Sequence, residues 1–206
     1  MTAPEVLLAP QPVALRARPW AHAVLRWFGW RVVFDGLPAR QGVFVVYPHT
    51  SNWDFPYSVM AKWAIGLDVK FWAKDSLFRV PVFGAWLRWL GGVSLSRRGA
   101  QGAVGDMLGH FEAARRQDQF FWLALSPEGT RGRTDGWRSG FYQVARGADV
   151  PVALVQLDYA RKIVDVSQFV RLSGDVTADY EHMSAALSST QGRHADQASP
   201  IRPMPR

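Results

Sequence analysis

Residues 42–47 read GVFVVY, and residues 48–56 continue directly as PHTSNWDFP. The first stretch is apolar, β-branched and aromatic, which is typical of a buried strand. The second contains capping residue types and a proline at position 56, which cannot lie deep inside a helix. A helix is therefore predicted to begin near residues 52–55 and to end near residue 65. Strands followed at once by helices are typical of α/β proteins.

The same alternation continues on both sides of this unit. Further strands are predicted at 31–34, 69–73, 93–96, 120–126 and 150–158, and further helices at 20–30, 77–90 in part, 102–116 and 142–146. The pattern predicts one α/β domain over about residues 20–185, with a largely parallel or mixed sheet flanked by helices. Residues 1–19 and 186–206 are rich in proline or polar residues, so the first is predicted to be flexible and the second disordered.

Composition excludes several classes of protein. The chain has 206 residues, 48% of them hydrophobic, and no cysteine, which excludes a disordered chain, a thiolate nucleophile and a cysteine-ligated metal. Its net charge is +7, with 20 arginines among 24 cationic residues, which favours an anionic partner: nucleic acid, a phosphorylated metabolite or anionic lipid. No stretch approaches the roughly 20 apolar residues of a spanning helix, and no signal peptide is evident. A soluble or peripherally attached intracellular protein is expected.

His49 and Asp54 are five positions apart in the loop after the first quoted strand. On a straight helix they would point about 140° apart, so they can meet only if the chain between them turns. A carboxylate bonded to one imidazole nitrogen leaves the other nitrogen free to act as a general base. The alternative is that both residues only cap the helix, which is the more frequent explanation of the spacing alone.

Two further loops contain anion-binding residue types. Residues 126–132, SPEGTRG, follow the predicted strand 120–126 and combine backbone N–H donors, a hydroxyl and a guanidinium. Residues 91–98, GGVSLSRR, end in paired arginines after a short strand. Taken singly, each loop is more often a surface turn with solvated charges than an anion-binding site.

Together, the order and spacing of these motifs resemble the glycerolipid acyltransferases. The closest resemblance is to bacterial 1-acylglycerol-3-phosphate (lysophosphatidic acid) acyltransferases of the short His-x4-Asp type, and it covers about residues 44–159. The segment KDSLF at 74–78 also matches the segment that these proteins place between their first two motifs, and VPV at 150–152 lies where their fourth, proline-containing hydrophobic block is expected.

The resemblance implies a role for each matching residue. His49 would be the general base and Asp54 would orient it, while the substrate would be bound by Lys74, Arg97, Glu128, Gly129, Thr130 and Arg131. The implied reaction transfers a fatty acyl group from acyl-CoA or acyl carrier protein to a hydroxyl of a lysophospholipid. It needs no covalent enzyme intermediate, no cofactor and no metal, in a chain that also lacks the Gly-x-Ser-x-Gly turn of serine hydrolases.

Departures from the family pattern leave the acceptor open. Pro48, Ser96, Ser126 and Leu154 replace residue types that are usual at those positions, which allows a different lyso-lipid, such as a lyso-ornithine lipid. A thioesterase and a non-enzymatic module for anionic lipid are the remaining alternatives. Nucleic acid is not expected, because no recognised binding motif is present.

Residues 20–30 and 72–89 are aromatic and basic, which is typical of a surface at a membrane interface and also of ordinary core packing. Because the implied substrate is a lipid, the interpretation as a surface at the membrane interface is the relevant one. The expected location is therefore cytoplasmic, peripheral on the inner face of the cell membrane.

Overall fold

An eight-stranded mixed β-sheet lies at the centre of the protein in a computed structural model, which describes residues 3–7, 16–95 and 99–205. The strands are β1 (Glu5–Leu7), β2 (Arg31–Val33), β3 (Gln41–Tyr47), β4 (Val69–Lys74), β5 (Gly92–Leu95), β6 (Phe121–Leu125), β7 (Val152–Asp158) and β8 (Ile163–Arg171). The helices are α1 (Pro19–Trp27), α2 (Asp54–Ile65), α3 (Asp75–Phe78), α4 (Phe83–Trp89), α5 (Gly99–Arg116), α6 (Gly140–Gly147) and α7 (Val176–Leu187). A short 3₁₀ turn, Ala195–Gln197, follows α7.

The strand order is β1-β8-β7-β3-β6-β4-β5, with β2 pairing alongside β8. Strand β3 runs parallel to both of its neighbours, β6 and β7, whereas β7 and β8 are antiparallel. Leu125, the last residue of β6, lies opposite Val45 of β3, and β3 continues to Tyr47, so the two parallel strands end close together on the same side of the sheet. The loops that follow β3 and β6 therefore begin side by side, which is where ligands bind in parallel sheets.

Helices cover both faces of the sheet and create two apolar cores. Leu123 and Leu154 point to the face covered by α5, α6 and α7, where Phe111 and Phe141 are fully buried. Phe44, Trp122 and Val155, from the three central strands β3, β6 and β7, point to the opposite face, which α1 and α2 cover. Burial on both faces explains why β3 and β7 are near-continuous apolar runs instead of alternating ones.

The predicted α/β class, with a mixed sheet between helices, is confirmed. Helix α2 has the bounds expected from the quoted sequence, and the strands expected near 42–47, 69–73 and 150–158 are present. Strand β8 and helix α7 were not among the predicted elements. No helix in the described ranges is both long and apolar enough to cross a membrane.

The two ends of the chain differ from the flexible ends that composition predicts. Glu5–Leu7 pairs antiparallel with β8, so part of the first 19 residues belongs to the sheet. Beyond α7, Thr190 and Ser199 are buried, and the backbone of Trp137 exchanges hydrogen bonds with Arg202 and Met204. A polar, proline-rich segment is ordered here because its backbone groups find partners on the neighbouring loops, which local composition does not reveal.

Candidate active site

The loop between β3 and α2 is folded around the carboxylate of Asp54. Asp54 is the first residue of α2, and its Oδ2 accepts hydrogen bonds from the backbone N–H groups of Thr50 and Ser51, at 2.8 and 2.9 Å. Both donors are buried, and the carboxylate lies where the positive end of the helix dipole favours negative charge. The capping residue types in the sequence therefore produce a turn, which is the condition under which His49 and Asp54 can meet.

His49 and Asp54 form the hydrogen-bonded pair that the spacing allows. Nδ1 of His49 lies 3.0 Å from Oδ2 of Asp54, whose side chain is only 3% exposed. The His49 side chain is 30% exposed, and its Nε2 contacts no hydrogen-bond partner among the described residues. Because the carboxylate accepts this hydrogen bond, the neutral imidazole carries its hydrogen on Nδ1, which leaves the lone pair of Nε2 available to a ligand.

Tyr159 completes the surroundings of Asp54. Its hydroxyl donates to Oδ1 of Asp54 at 2.7 Å, so both carboxylate oxygens are satisfied. Burial, and then the hydrogen bond to Asp54, raise the pKa of Tyr159 well above its usual value, so the hydroxyl stays protonated and donates. Sequence reasoning missed Tyr159. The signal that was available is its position directly after the buried strand β7, beside the end of β3.

Glu128 lies inside the protein, behind His49. It is fully buried, and its Oε2 accepts a short hydrogen bond from the backbone N–H of His49. Its Oε1 accepts from the backbone N–H of Ser199 at 2.9 Å. Burial raises the pKa of Glu128, and the two backbone donors oppose this by stabilising the charged form. The carboxylate thus contacts the loop between β3 and α2, whereas its predicted contact with a substrate stays a prediction.

The residues after Glu128 form an exposed turn. Gly129 has a positive φ of 68°, and a Cβ at this position would lie 2.7 Å from Nε of Arg138, so a glycine fits both the conformation and the space. Thr130 and Arg131 are exposed beyond it, and Arg131 forms no ion pair with any described residue. Gly132 donates a long hydrogen bond of 3.4 Å to the Thr130 hydroxyl.

Of the two other predicted cations, one is described. Lys74 is exposed at the carboxyl end of β4, at the same edge of the sheet as the loops after β3 and β6. Arg97 lies outside the described residues. The structure therefore brings His49 into direct contact with both Asp54 and Glu128. It places Lys74, Thr130 and Arg131 on the exposed rim at the same ends of the strands.

An apolar cavity of about 230 Å³ lies between α2 and the sheet and reaches His49 and Asp54. Its other lining residues are mostly aliphatic or aromatic, including Phe44, Val46, Phe55, Val59, Phe71, Ala124, Leu125, Val155, Val164 and Val166. Lys62 also lines it, but its Nζ donates to the carbonyl oxygens of Val69 and Leu90, at 3.1 and 2.6 Å. The hydroxyl of Ser126 lines the cavity without a hydrogen-bond partner in the described part of the chain.

The chemistry available at this site is general-base catalysis next to an apolar chamber. A His with one nitrogen fixed by a buried carboxylate can take a proton from a hydroxyl or a water molecule. Within the described ranges, no cluster of three or more His, Asp or Glu side chains could hold a metal ion.

Comparisons with known proteins agree with this chemistry. Residues 31–156 match the family model described as Acyltransferase. The fold is similar to the crystal structure of the 1-acyl-sn-glycerophosphate (LPA) acyltransferase PlsC from Thermotoga maritima, with a TM-score of 0.52 and 18% sequence identity over 82% of this chain and 74% of that one. No curated protein gives a significant sequence match. Because the family model spans more than half of the 206 residues and includes the His49–Asp54 pair and Glu128, the chain belongs to the acyltransferase family.

Proposed function

We propose that this acyltransferase moves a fatty acyl group from acyl-CoA or acyl carrier protein to the hydroxyl of a lysophospholipid, with 1-acylglycerol 3-phosphate as the preferred acceptor. The observation that carries the proposal is the hydrogen-bonded His49–Asp54 pair at an apolar cavity. A base beside an apolar chamber suits a reaction between a hydroxyl and a fatty thioester. The similarity in fold to an LPA acyltransferase supports the choice of acceptor.

The proposed reaction is a single displacement at the thioester carbonyl. Nε2 of His49 takes the proton from the acceptor hydroxyl while the oxygen attacks the carbonyl carbon, forming a C–O bond. The C–S bond then breaks, and the proton on His49 passes to the thiolate that leaves. Asp54 keeps the imidazole in the tautomer with the proton on Nδ1 and stabilises the imidazolium that forms. A thioester is already activated, so positioning supplies much of the remaining rate.

The apolar cavity is the proposed place for an acyl chain. Its walls come from α2 and from the strands of the sheet, so the chain would lie against rigid elements, with its carboxyl end near His49. The exposed cations Lys74 and Arg131 would contact the phosphate of the acceptor at the rim. Both cations lack an ion-pair partner among the described residues, which leaves them available for a ligand.

An acceptor panel tests this proposal. Lysophosphatidic acid, glycerol 3-phosphate, lysophosphatidylcholine and lyso-ornithine lipid are each incubated with acyl-CoA and with acyl-loaded carrier protein, using several acyl lengths. We expect the fastest transfer to lysophosphatidic acid. Preferred transfer to lyso-ornithine lipid would overturn the acceptor assignment. Rapid release of free fatty acid that is independent of every acceptor would identify a thioesterase instead.

Membrane contact is the second part of the proposal, and it rests on a surface that we call the aromatic surface. Its members are apolar side chains exposed at 40% or more on or beside α1 and α4: Trp20, Trp27, Phe28, Val82, Phe83, Trp86 and Trp89. Trp63 of α2 joins the two groups, because its ring lies 5.3 Å from that of Trp20 and 6.1 Å from that of Trp89. Exposed apolar groups of this extent favour an apolar partner.

Cations next to the aromatic surface favour an anionic bilayer as that partner. Arg26 and Arg88 are exposed on α1 and α4, and Arg18 lies over the Trp63 ring at 5.5 Å. Tryptophan rings beside arginine suit the boundary between lipid headgroups and acyl chains. We therefore propose that the enzyme attaches peripherally to the inner face of the cell membrane, where a lyso-lipid lies within reach of the site.

Replacing two exposed tryptophans should weaken this attachment. We expect the double variant Trp27→Ala/Trp89→Ala to lower the partition onto vesicles of phosphatidylglycerol and phosphatidylcholine by about 10-fold or more, because both side chains would leave the interface. Co-sedimentation measures the partition. Val176→Ser is the matched control, since Val176 is 42% exposed on α7, which covers the other face of the sheet. Equal partition of the double variant and the wild type would contradict membrane contact at this surface.

A further inference from the structure

The segment that follows α7 lies against both loops of the active site. We call residues 188–205 the C-terminal segment. Next to the loop after β3, the backbone N–H of His194 donates to the hydroxyl of Thr50 at 3.2 Å, and the carbonyl of Gln191 accepts from the N–H of Tyr159 at 2.8 Å. Next to the loop after β6, the Ser199 N–H donates to Glu128. The segment thus joins loops that are far apart in sequence.

We propose that the C-terminal segment is part of the active site, and that the backbone N–H of Ser199 positions Glu128, which in turn positions the backbone of His49. Ser199 is a positioning residue in this scheme, because it acts through Glu128 and contacts no reacting atom. The inference deepens the proposed function and rests on it for its kinetic test.

The geometry around Glu128 supports this role. Its carboxylate is fully buried, so each oxygen needs a donor from the protein. One oxygen is satisfied by Ser199 and the other by His49, and these donors are far apart in the sequence. Without the Ser199 N–H, a buried oxygen would lose its partner, and the carboxylate would turn or take up a proton. In either case the hydrogen bond to the His49 backbone changes.

Ser199 is itself fixed from several sides. Its carbonyl oxygen accepts from the Tyr47 hydroxyl at 3.2 Å, its Oγ accepts from the N–H of Thr134 at 3.1 Å, and the hydroxyls of Ser199 and Thr134 form a hydrogen bond of 2.9 Å. The residue is fully buried. A donor that is immobilised in this way can determine the orientation of the carboxylate it faces, instead of following it.

Gly192 provides a second, independent contact. A Cβ at this position would lie 2.5 Å from Oγ1 of Thr50 and 2.9 Å from Cγ of Pro48, the residues on either side of His49. Only a residue without a side chain allows the C-terminal segment to approach the catalytic loop this closely. The segment therefore packs directly on the two neighbours of the general base.

The first test removes the donor at Ser199. Ser199→Pro eliminates the N–H, and Ala198 already has the extended backbone, at φ −64° and ψ 128°, that a following proline requires. We expect kcat for acyl transfer to fall about 10- to 100-fold, with less than a threefold change in KM for the acyl donor, because the base is displaced while the binding cavity remains. Val176→Pro is the matched control outside the segment: Val176 is the first residue of α7, where proline is well tolerated, its N–H bonds to no described residue, and Asp175 before it is extended at φ −79° and ψ 98°. Its kcat should stay within twofold of wild type.

The second test asks whether Ser199 acts through Glu128. Glu128→Gln should lower kcat to a similar extent. The NH₂ group of the glutamine amide would face the backbone N–H of either His49 or Ser199, and two donors cannot form a hydrogen bond. In the double variant Ser199→Pro/Glu128→Gln, the loss should be no more than about threefold beyond the larger single loss. If the kcat losses of the two single variants multiply in the double variant, and His49 keeps its position, the proposal is overturned.

A third variant keeps the test decisive if Ser199→Pro does not fold. Gly192→Ala pushes the C-terminal segment away from Pro48 and Thr50 and should lower kcat at least about fivefold. Gly109→Ala on α5 is its control, because a Cβ there meets nothing within 4 Å. Wild-type kcat in folded Gly192→Ala and in Glu128→Gln would overturn the proposal.

A spectroscopic measurement separates this inference from the proposed function. In protein labelled with ¹⁵N-histidine, the hydrogen bond to the buried carboxylate of Glu128 should shift the His49 amide proton downfield, and Ser199→Pro should move it upfield. If the wild type transfers no acyl group to lysophosphatidic acid, the proposed function fails, yet this shift still tests the link from Ser199 to His49. An unchanged His49 amide in a folded Ser199→Pro protein would overturn the link.

Discussion

His49→Ala is expected to lower kcat for acyl transfer about 10²- to 10⁴-fold, which is the usual contribution of a general base. The change removes Nε2, the only ring nitrogen that is free to take the hydroxyl proton. It retains the backbone N–H that donates to Glu128, so the loop should stay in place. The His49 side chain is also partly exposed and makes one hydrogen bond, so thermal stability should change little. Initial rates together with a melting curve measure both effects.

A control distinguishes loss of the base from a general effect of losing a histidine. His182→Ala alters a residue on α7, on the opposite side of the sheet from α2, and should leave kcat within twofold of wild type. Full activity of His49→Ala would show that another group takes the proton. A large drop in melting temperature would show that His49 has a structural role that its single hydrogen bond does not indicate.

Asp54→Ala is expected to reduce both activity and stability. The Asp54 carboxylate accepts four hydrogen bonds, and the variant would leave the buried N–H groups of Thr50 and Ser51 without partners, in addition to the Tyr159 hydroxyl. Each unsatisfied buried donor costs about 1–3 kcal/mol, so we expect the free energy of unfolding to fall by about 3 kcal/mol or more. The activity should fall at least as far as in His49→Ala, because the imidazole loses its orientation.

Urea unfolding of the two variants gives the decisive comparison. His49→Ala should keep the midpoint of the wild type, whereas Asp54→Ala should unfold at a clearly lower urea concentration with a similar slope. Asp54→Asn is the matched variant: it preserves the shape but offers one acceptor oxygen in place of two, so its stability should be intermediate. If Asp54→Ala unfolds at the wild-type midpoint, the loop is not held by this carboxylate.

Sequence was sufficient for the centre of the fold and for the contact between His49 and Asp54. The strand at 42–47 and the helix at 54–65 follow from local composition, and the capping residues between them indicate the turn that joins His49 to Asp54. These features depend on residues that are close in the chain. Periodicity and capping propensity report on such local structure.

The parts that were missed depend on contacts between distant residues. Tyr159 reaches Asp54 over 105 positions and Ser199 reaches Glu128 over 71, and no local pattern indicates either contact. The C-terminal segment has the composition of a disordered tail, yet buried polar atoms elsewhere in the fold provide partners for its backbone. Strand β1 was missed for the same reason, because it is defined by its pairing with β8.

The way the catalytic loop is fixed has a consequence for hydrogen exchange. Loop amides usually exchange with solvent within minutes, because their hydrogen bonds open locally. Here the amides of His49, Thr50 and Ser51 are bonded to two buried carboxylates, one of which is also bonded to the C-terminal segment. These amide protons should therefore exchange as slowly as those of β3, through opening of the whole domain, so that the active-site loop behaves in deuterium oxide as part of the core.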